Sequence, residues 1–319
     1  MVTEISIKKF KKINFIDKNV IITGASRGIG YQLAKKFLKL GANISICSQN
    51  FNNLKKAIIK LKKIKNKNQK IFFMKVDISK KKDVDKFFKF SVKEFKTIHI
   101  LVNNAGIYGP KGFSETVNWN KWIKAVQVNL FGSILITRHI IKHFKKNNYG
   151  KIIQLSGGGV AGPLPMMSAY SCSKVAIIRF MDSLSEETKN YKININTVAP
   201  GSINTDMLKE VLKEGPKKIG KHHYNKALFQ KKMGGTPMKK AIELITYLSS
   251  DSANHIKGKI INAIWDDWIN LSKYKNILNS SDIFTLKRIN PLDRGHKWGI
   301  VQKKIKFDTL FSSQNLSKK

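Results

Sequence analysis

Tyr170 and Lys174 lie four residues apart, so on a helix their side chains share one face. A phenol that titrates at about 10 is a poor acid or base at neutral pH, and an ammonium beside it favours the phenolate and brings its pKa down. That pairing suits proton exchange at an oxygen atom. Far upstream, the stretch VIITGASRGIG at 20–30 is a β-branched apolar run that breaks into a turn holding Gly24, Gly28 and Gly30. Missing Cβ atoms let a pyrophosphate approach such a turn, and the helix that follows supplies amide donors and a positive dipole end. Each feature alone fits an ordinary helix or turn equally well, so the surrounding elements must decide.

Those elements alternate. Apolar runs recur at 20–23, 44–47, 71–76, 98–102, 151–155, 193–198 and 260–264, with lysine-rich segments of helical spacing between them. Short strands alternating with longer helices predict an α/β chain whose parallel sheet is covered on both faces. The glycine turn follows the first strand and opens a helix from Tyr31 to Leu40, the context in which a phosphate-binding reading gains weight. No internal repeat or Pro/Ser-rich linker divides the chain.

The bulk properties narrow the classes. No run of about 18 apolar residues occurs, so no spanning helix is expected, and the opening residues lack the apolar stretch of a secretory signal. Two cysteines, Cys47 and Cys172, are too few for a disulfide framework or a zinc site, which fits a reducing, cytoplasmic setting with no bound metal. Sixty Lys and Arg against 20 Asp and Glu give a net charge of +40. Such a charge attracts phosphates and acidic proteins. Yet the lysines are spread along the chain amid abundant Asn and Ile, and arginine, the usual reader of bases, is scarce. That pattern reflects an A- and T-rich coding sequence, so neither a specific nucleic-acid partner nor a membrane partner is expected.

The motifs occur in a fixed order: T-G-x-x-x-G-x-G at 23–30, N-N-A-G at 103–106, Asn129, Tyr170-x-x-x-Lys174 and Pro200-Gly201. Together they resemble the short-chain dehydrogenase/reductase superfamily in its compact single-domain form, over about residues 15 to 265. The resemblance implies a doubly wound, Rossmann-like sheet of about seven parallel strands with helices on both faces. It also implies a domain over 1–268, with a substrate lid at 205–240. Residues 269–319 then form an atypical extension, packed on the domain or on a neighbouring subunit.

Residue roles follow from the same resemblance. Tyr170 would exchange the proton at the carbonyl or alcohol oxygen, Lys174 would tune it and hold the nicotinamide ribose, and Asn129 would support a water in the proton relay. Gly24, Ser26, Arg27, Gly28, Ile29 and Gly30 would cradle the dinucleotide phosphates. Ser48, Asp77, Ile78, Asn104, Ala105 and Gly106 would meet the adenosine half. Pro200, Gly201, Ile203 and Thr205 would cap the carboxamide. For Asp77 a helix-capping or loop role fits as well.

One departure from the family pattern matters most, and three further features set this chain apart. The family's serine thirteen positions before the tyrosine is Gly157 here, and the nearest hydroxyl is Ser156. On a strand a one-residue slip reverses a side chain, although glycines after it can form a bulge that re-aims it. The second strand ends in ICSQN with no carboxylate, and with Arg27 in the turn this favours NADP over NAD. The lid is long and polar, with His222, His223 and Tyr224 as candidate substrate contacts. Relatives commonly end in an Asp-Gly-Gly turn, whereas this chain reads AIWDDW at 263–268 and continues into PLDRGHKWG.

The expectation is therefore an oxidoreductase moving hydride between NADP(H) and a ketone or secondary alcohol, as a homodimer or homotetramer. A 3-oxoacyl thioester on an acidic carrier or a sugar derivative would be the substrate. The alternative is a catalytically impaired dinucleotide-binding protein serving as a sensor or nucleic-acid binder.

Overall fold

The computed structural model describes residues 13–298. Seven strands form one parallel sheet in the order β3-β2-β1-β4-β5-β6-β7. They are β1 (Asn19–Thr23), β2 (Asn43–Ser48), β3 (Ile71–Lys75), β4 (Ile100–Asn103), β5 (Gly150–Leu155), β6 (Ile193–Ala199) and β7 (Ile260–Asn262). β1 and β5 are buried throughout, as expected of strands covered on both faces.

Side-chain alternation divides the interior into two layers. Val20, Ile22, Ile44, Ile46, Ile100 and Val102 point into one. There they meet α1 (Gly28–Lys39), α2 (Phe51–Lys62) and α9 (Met238–Leu248) through residues such as Leu33, Phe37, Leu54 and Leu244. Ile21, Leu101, Ile152 and Ile195 point into the other. Their partners are Phe87 on α3 (Lys81–Phe95), Ile140 on α5 (Ser133–Asn147) and Ile177 on α6 (Ser168–Glu187). Helix α4 (Trp119–Val126) enters α5 through one wide π turn at Gln127–Gly132. The sheet reverses its winding between β1 and β4, and this is where doubly wound sheets open a crevice at their carboxyl ends.

After β6 the chain forms two helices, α7 (Asp206–Ile219) and α8 (Lys221–Lys232). Gly215, at φ +75°, and Pro216 bend α7 within its length. Beyond β7 the chain keeps packing. Trp268, Leu271 and Leu278 on the short α10 (Lys275–Ser280) are buried. The chain then returns along β7, where Ile260 N–H donates to the Phe284 carbonyl at 2.7 Å and Lys259 Nζ donates to the carbonyls of Ser281 and Ile283, each at 2.9 Å. This covers an edge that would otherwise present unpaired backbone groups.

The first compact unit thus ends at Thr285, seventeen residues after Trp268, and a second begins at Leu286. Within the second, Asn290 and Asp293 form a capping box on a single turn at Pro291–Arg294. The expected extension continues through 299–319, which lie outside the described residues, as do 1–12.

Candidate active site

The glycine turn owes its shape to two left-handed residues, Gly24 at φ +66° and Gly28 at φ +56°. A Cβ on Gly24 would sit 2.8 Å from the Ala105 Cα, and one on Gly30 would sit 2.5 Å from Asn104 Nδ2. These two glycines let β1 and β4 close on each other. Asn104 locks that approach, donating from Nδ2 to the Thr23 and Gly24 carbonyls at 2.9 and 3.1 Å. The Thr23 hydroxyl accepts from the Asn104 and Ala105 amides, both at 3.1 Å. Gly28 is different, because a Cβ there meets nothing nearer than Thr205 Cγ2 at 4.0 Å. The space in front of it is open, and no side chain caps the N-terminus of α1. Free first-turn amides facing open space fit an anionic group such as a dinucleotide pyrophosphate.

A cleft of about 600 Å³ runs from this turn to the lid. Of the catalytic and cofactor residues singled out in the sequence, all but Gly30 and Asn129 line it, and of the three candidate substrate contacts only His223 does. Gly30 packs beneath the turn, and Asn129 is wholly buried behind the wall. At the adenosine end the Ser26 and Ser48 hydroxyls share a hydrogen bond of 2.9 Å. Asp77 accepts from the Ser79 hydroxyl and amide, from Gln49 Nε2 at 3.1 Å and from Lys124 Nζ at 3.0 Å. Partial burial raises its carboxyl, and the Ser79 and Lys124 bonds outweigh this and hold it below the usual carboxylate range. Arg27 is not free beside Ser48. Its guanidinium pairs with Asp206 on α7 at 2.9 Å, joining the turn to the lid.

Lys124 and Gln49 were invisible in the sequence as wall residues. One lysine among so many carries no signal, and Gln49 stood out only as the absence of a carboxylate.

Tyr170 and Lys174 share a face of α6, with the ammonium 5.7 Å from the ring centroid. Lys174 is buried and donates to the Leu155 carbonyl at 2.9 Å. Burial pulls its pKa down to about 8. Tyr170 departs from expectation: burial, with Tyr108 packed edge-on at 4.8 Å, pushes its phenol above the ordinary value. The protein's own groups therefore keep Tyr170 protonated, because desolvation outweighs an ammonium at that distance.

Asn129 also differs from a relay group with a free amide. Its Oδ1 accepts from Ile107 N–H at 2.8 Å, and its Nδ2 donates to the Ile107 carbonyl and the Ser173 hydroxyl, each at 2.9 Å. Ser173 in turn donates to the Tyr170 carbonyl at 2.7 Å, so the Asn129 amide fixes α6 against the loop after β4. The wide π turn carries it into that position.

The missing serine has a steric explanation. A Cβ on Gly157 would fall on the Tyr170 hydroxyl, so the phenol occupies the place a side chain there would take. Ser156 is buried in the cleft wall, and its hydroxyl has no hydrogen-bond partner among the described residues. An unpartnered buried hydroxyl is costly, and Ser156 shares that state with Asn103 Oδ1 and Gln154 Oε1 in the sheet.

The lid is polar only outside. Leu208, Val211 and Ile219 of α7 and Ala227 of α8 are buried against Met167, Tyr170, Tyr108 and Leu164. His223 and Gln230 line the cleft, whereas His222 faces away. Among the described residues no three His, Cys, Asp or Glu gather as metal ligands.

Residues 18–215, more than half of the chain, match the short chain dehydrogenase family. The chain is 32% identical over 197 residues to a chloroplastic chlorophyll(ide) b reductase of Oryza sativa subsp. japonica, covering 60% of this chain and 57% of that protein. It is 30% identical over 249 residues to a 3-oxoacyl-[acyl-carrier-protein] reductase of Chlamydia trachomatis, covering 77% and 96%. Among solved structures, levodione reductase superposes with a TM-score of 0.71 at 22% identity, over 78% of this chain and 96% of the other. The glycine turn between β1 and β4, the Tyr/Lys pair on α6 and the extent of the family match place this chain in the short-chain dehydrogenase family.

Proposed function

We propose that this protein reduces a ketone to a secondary alcohol with NADPH, using Tyr170 as the proton donor. The observation that carries the reading is one cleft with two ends. The uncapped glycine turn lies at one end, and the buried Tyr170, Lys174 and unpartnered Ser156 hydroxyl lie at the other.

When bound, the cofactor supplies or accepts the hydride. The α1 amides and Gly28 hold its phosphates, and Asn104, Ala105, Gly106, Asp77 and Ile78 line its adenosine half. Pro200, Gly201, Ile203 and Thr205 border the nicotinamide. Ser26, Ser48 and Arg27 receive a ribose phosphate at a β2 end that lacks a carboxylate, which supports NADP over NAD. Ser156 donates to the substrate oxygen as negative charge develops there. Tyr170 then gives that oxygen its proton. A phenol kept protonated by burial is in the form that donates this proton. Asn129 acts by positioning α6.

The apolar inner lid supports an acyl substrate over a sugar. A 3-oxoacyl thioester, free or carrier-linked, is the proposed class, in keeping with the name of the Chlamydia relative. Assembly as a homodimer or homotetramer in the cytoplasm belongs to the same reading.

A panel of 3-oxoacyl thioesters, cyclic ketones and keto-sugars, each offered with NADPH and NADH, tests it. Reduction of thioesters with NADPH preferred supports the proposal. Loss of NADPH with no member of the panel would instead leave a dinucleotide-binding protein without catalysis.

A further inference from the structure

The outer face of the lid is built unlike its inner face. On α8, Tyr224 and Ala227 turn inward to the apolar cluster beside Tyr170. Phe229 and Met233, four positions apart and so on one side of the chain, turn outward with 64% of each exposed. Leu228, next to Phe229, is 42% exposed. Lys226 and Lys232 stand three residues either side of Phe229, and residues 217–240 hold eight lysines and no Asp or Glu.

A second apolar group stands beside this face. Ile264 and Thr236 both lie within 3 Å of the point where a Gly201 Cβ would be, so the residue before Trp265 packs near the chain that leaves α8. The Asn262 carboxamide accepts from the Ile264 and Trp265 amides at 2.8 and 3.2 Å and fixes this turn. The indole that emerges is 82% exposed.

Large exposed side chains normally cost solubility and are found singly. Here a phenylalanine and a methionine stand exposed among the lysines of 217–240, and the indole of Trp265 is exposed on the turn after β7. Protruding apolar groups interspersed with lysines suit the surface of an anionic bilayer, the apolar groups reaching the acyl boundary and the lysines meeting the headgroups. We infer that the lid docks on the surface of an anionic lipid membrane through Phe229, Met233 and Trp265, with the lysines of 217–240 meeting the headgroups. No described helix is long and apolar enough to cross a membrane, so the contact is peripheral. Charge complementarity selects this partner: an acidic protein would satisfy the lysines, but three protruding apolar groups would then need a matching set of pockets. The sequence alone, with its lysines spread evenly, gave no reason to expect a membrane contact.

Flotation with phosphatidylcholine vesicles, with and without phosphatidylglycerol, tests the inference. The chain should float with the anionic vesicles only. The pair Phe229→Ala/Met233→Ala should weaken partitioning by about tenfold or more, since each side chain loses its transfer into the bilayer. Brominated lipid should quench part of the tryptophan fluorescence, and Trp265→Phe should reduce that quenched part. All three residues are exposed, so unchanged thermal melting will show that the variants fold.

Three results would overturn the idea. They are no flotation, equal flotation of the alanine pair and the wild type (lysine attraction alone), and an acidic carrier protein whose binding the pair abolishes while vesicles are ignored. Flotation needs no turnover, so its outcome is independent of the role given to Tyr170.

Discussion

At the glycine-turn end of the cleft the wall is main chain. Thr23, Gly24, Asn104 and Ala105 are tied to one another by hydrogen bonds, and the glycines are needed because no Cβ fits between β1 and β4. At the lid end the wall is side chain, with Leu208, Val211 and Ile219 packed in one cluster with Tyr108 and Tyr170. A main-chain wall constrains which residue types can occupy each position. A side-chain wall can change its shape with one substitution and keep the fold. The first end therefore suits a shared cofactor, and the second suits a substrate particular to this protein.

Substitutions at the two ends should separate these roles. The largest effect is expected at the reacting group of the lid end. Tyr170→Phe should lower kcat by roughly a thousandfold, the scale of a lost general acid, while NADPH still binds. A variant that loses cofactor binding as well would show that the two ends are not separable.

Gly24→Ala should then break the main-chain end alone. A left-handed alanine pressed on Ala105 costs about 1–3 kcal/mol, read as a lower Tm and weaker cofactor binding with every substrate alike. Leu208→Ala should do the reverse. KM for a long 3-oxoacyl thioester should rise about tenfold, with the affinity for NADPH unchanged, as expected for lost methylenes in an apolar pocket.

The proton inventory sharpens the comparison through pH. Lys174 is held down to about 8, so it is cationic below that value and loses its proton as pH rises through it. The kcat/KM for reduction should be flat below pH 8 and decline above it, on a limb that Leu208→Ala does not move. Arg27→Ala carries the smallest effect. It removes one exposed ion pair with Asp206 and one phosphate contact, so NADPH should weaken by a few fold and NADH hardly at all.

Legibility in the sequence follows the same division. β1 and β4 could be placed because apolar runs buried on both faces leave an unbroken signal, and the glycine turn because Gly24 and Gly28 adopt positive φ and no Cβ fits at Gly24 or Gly30. The Tyr170/Lys174 pair was legible from its spacing. The apolar interior of the lid was not, since Leu208, Val211 and Ile219 are interspersed with lysines, and α7 bends at Pro216. Nor was the sense of the Tyr170 shift, which depends on how deeply the ring is buried. The chain beyond 268 was opaque because it packs in short turns with no period, and its contact along β7 runs through carbonyls that any residue type carries.

The most direct test follows the hydride. NADPH carrying deuterium at its transferable ring position is mixed with a 3-oxoacyl thioester, and the product alcohol is examined by mass spectrometry and NMR. A single deuterium on the new carbinol carbon with the wild-type protein, and essentially none with Tyr170→Phe over the same time, is the predicted result. Alcohol formed without the label, or labelled alcohol formed equally fast by Tyr170→Phe, would contradict the central claim.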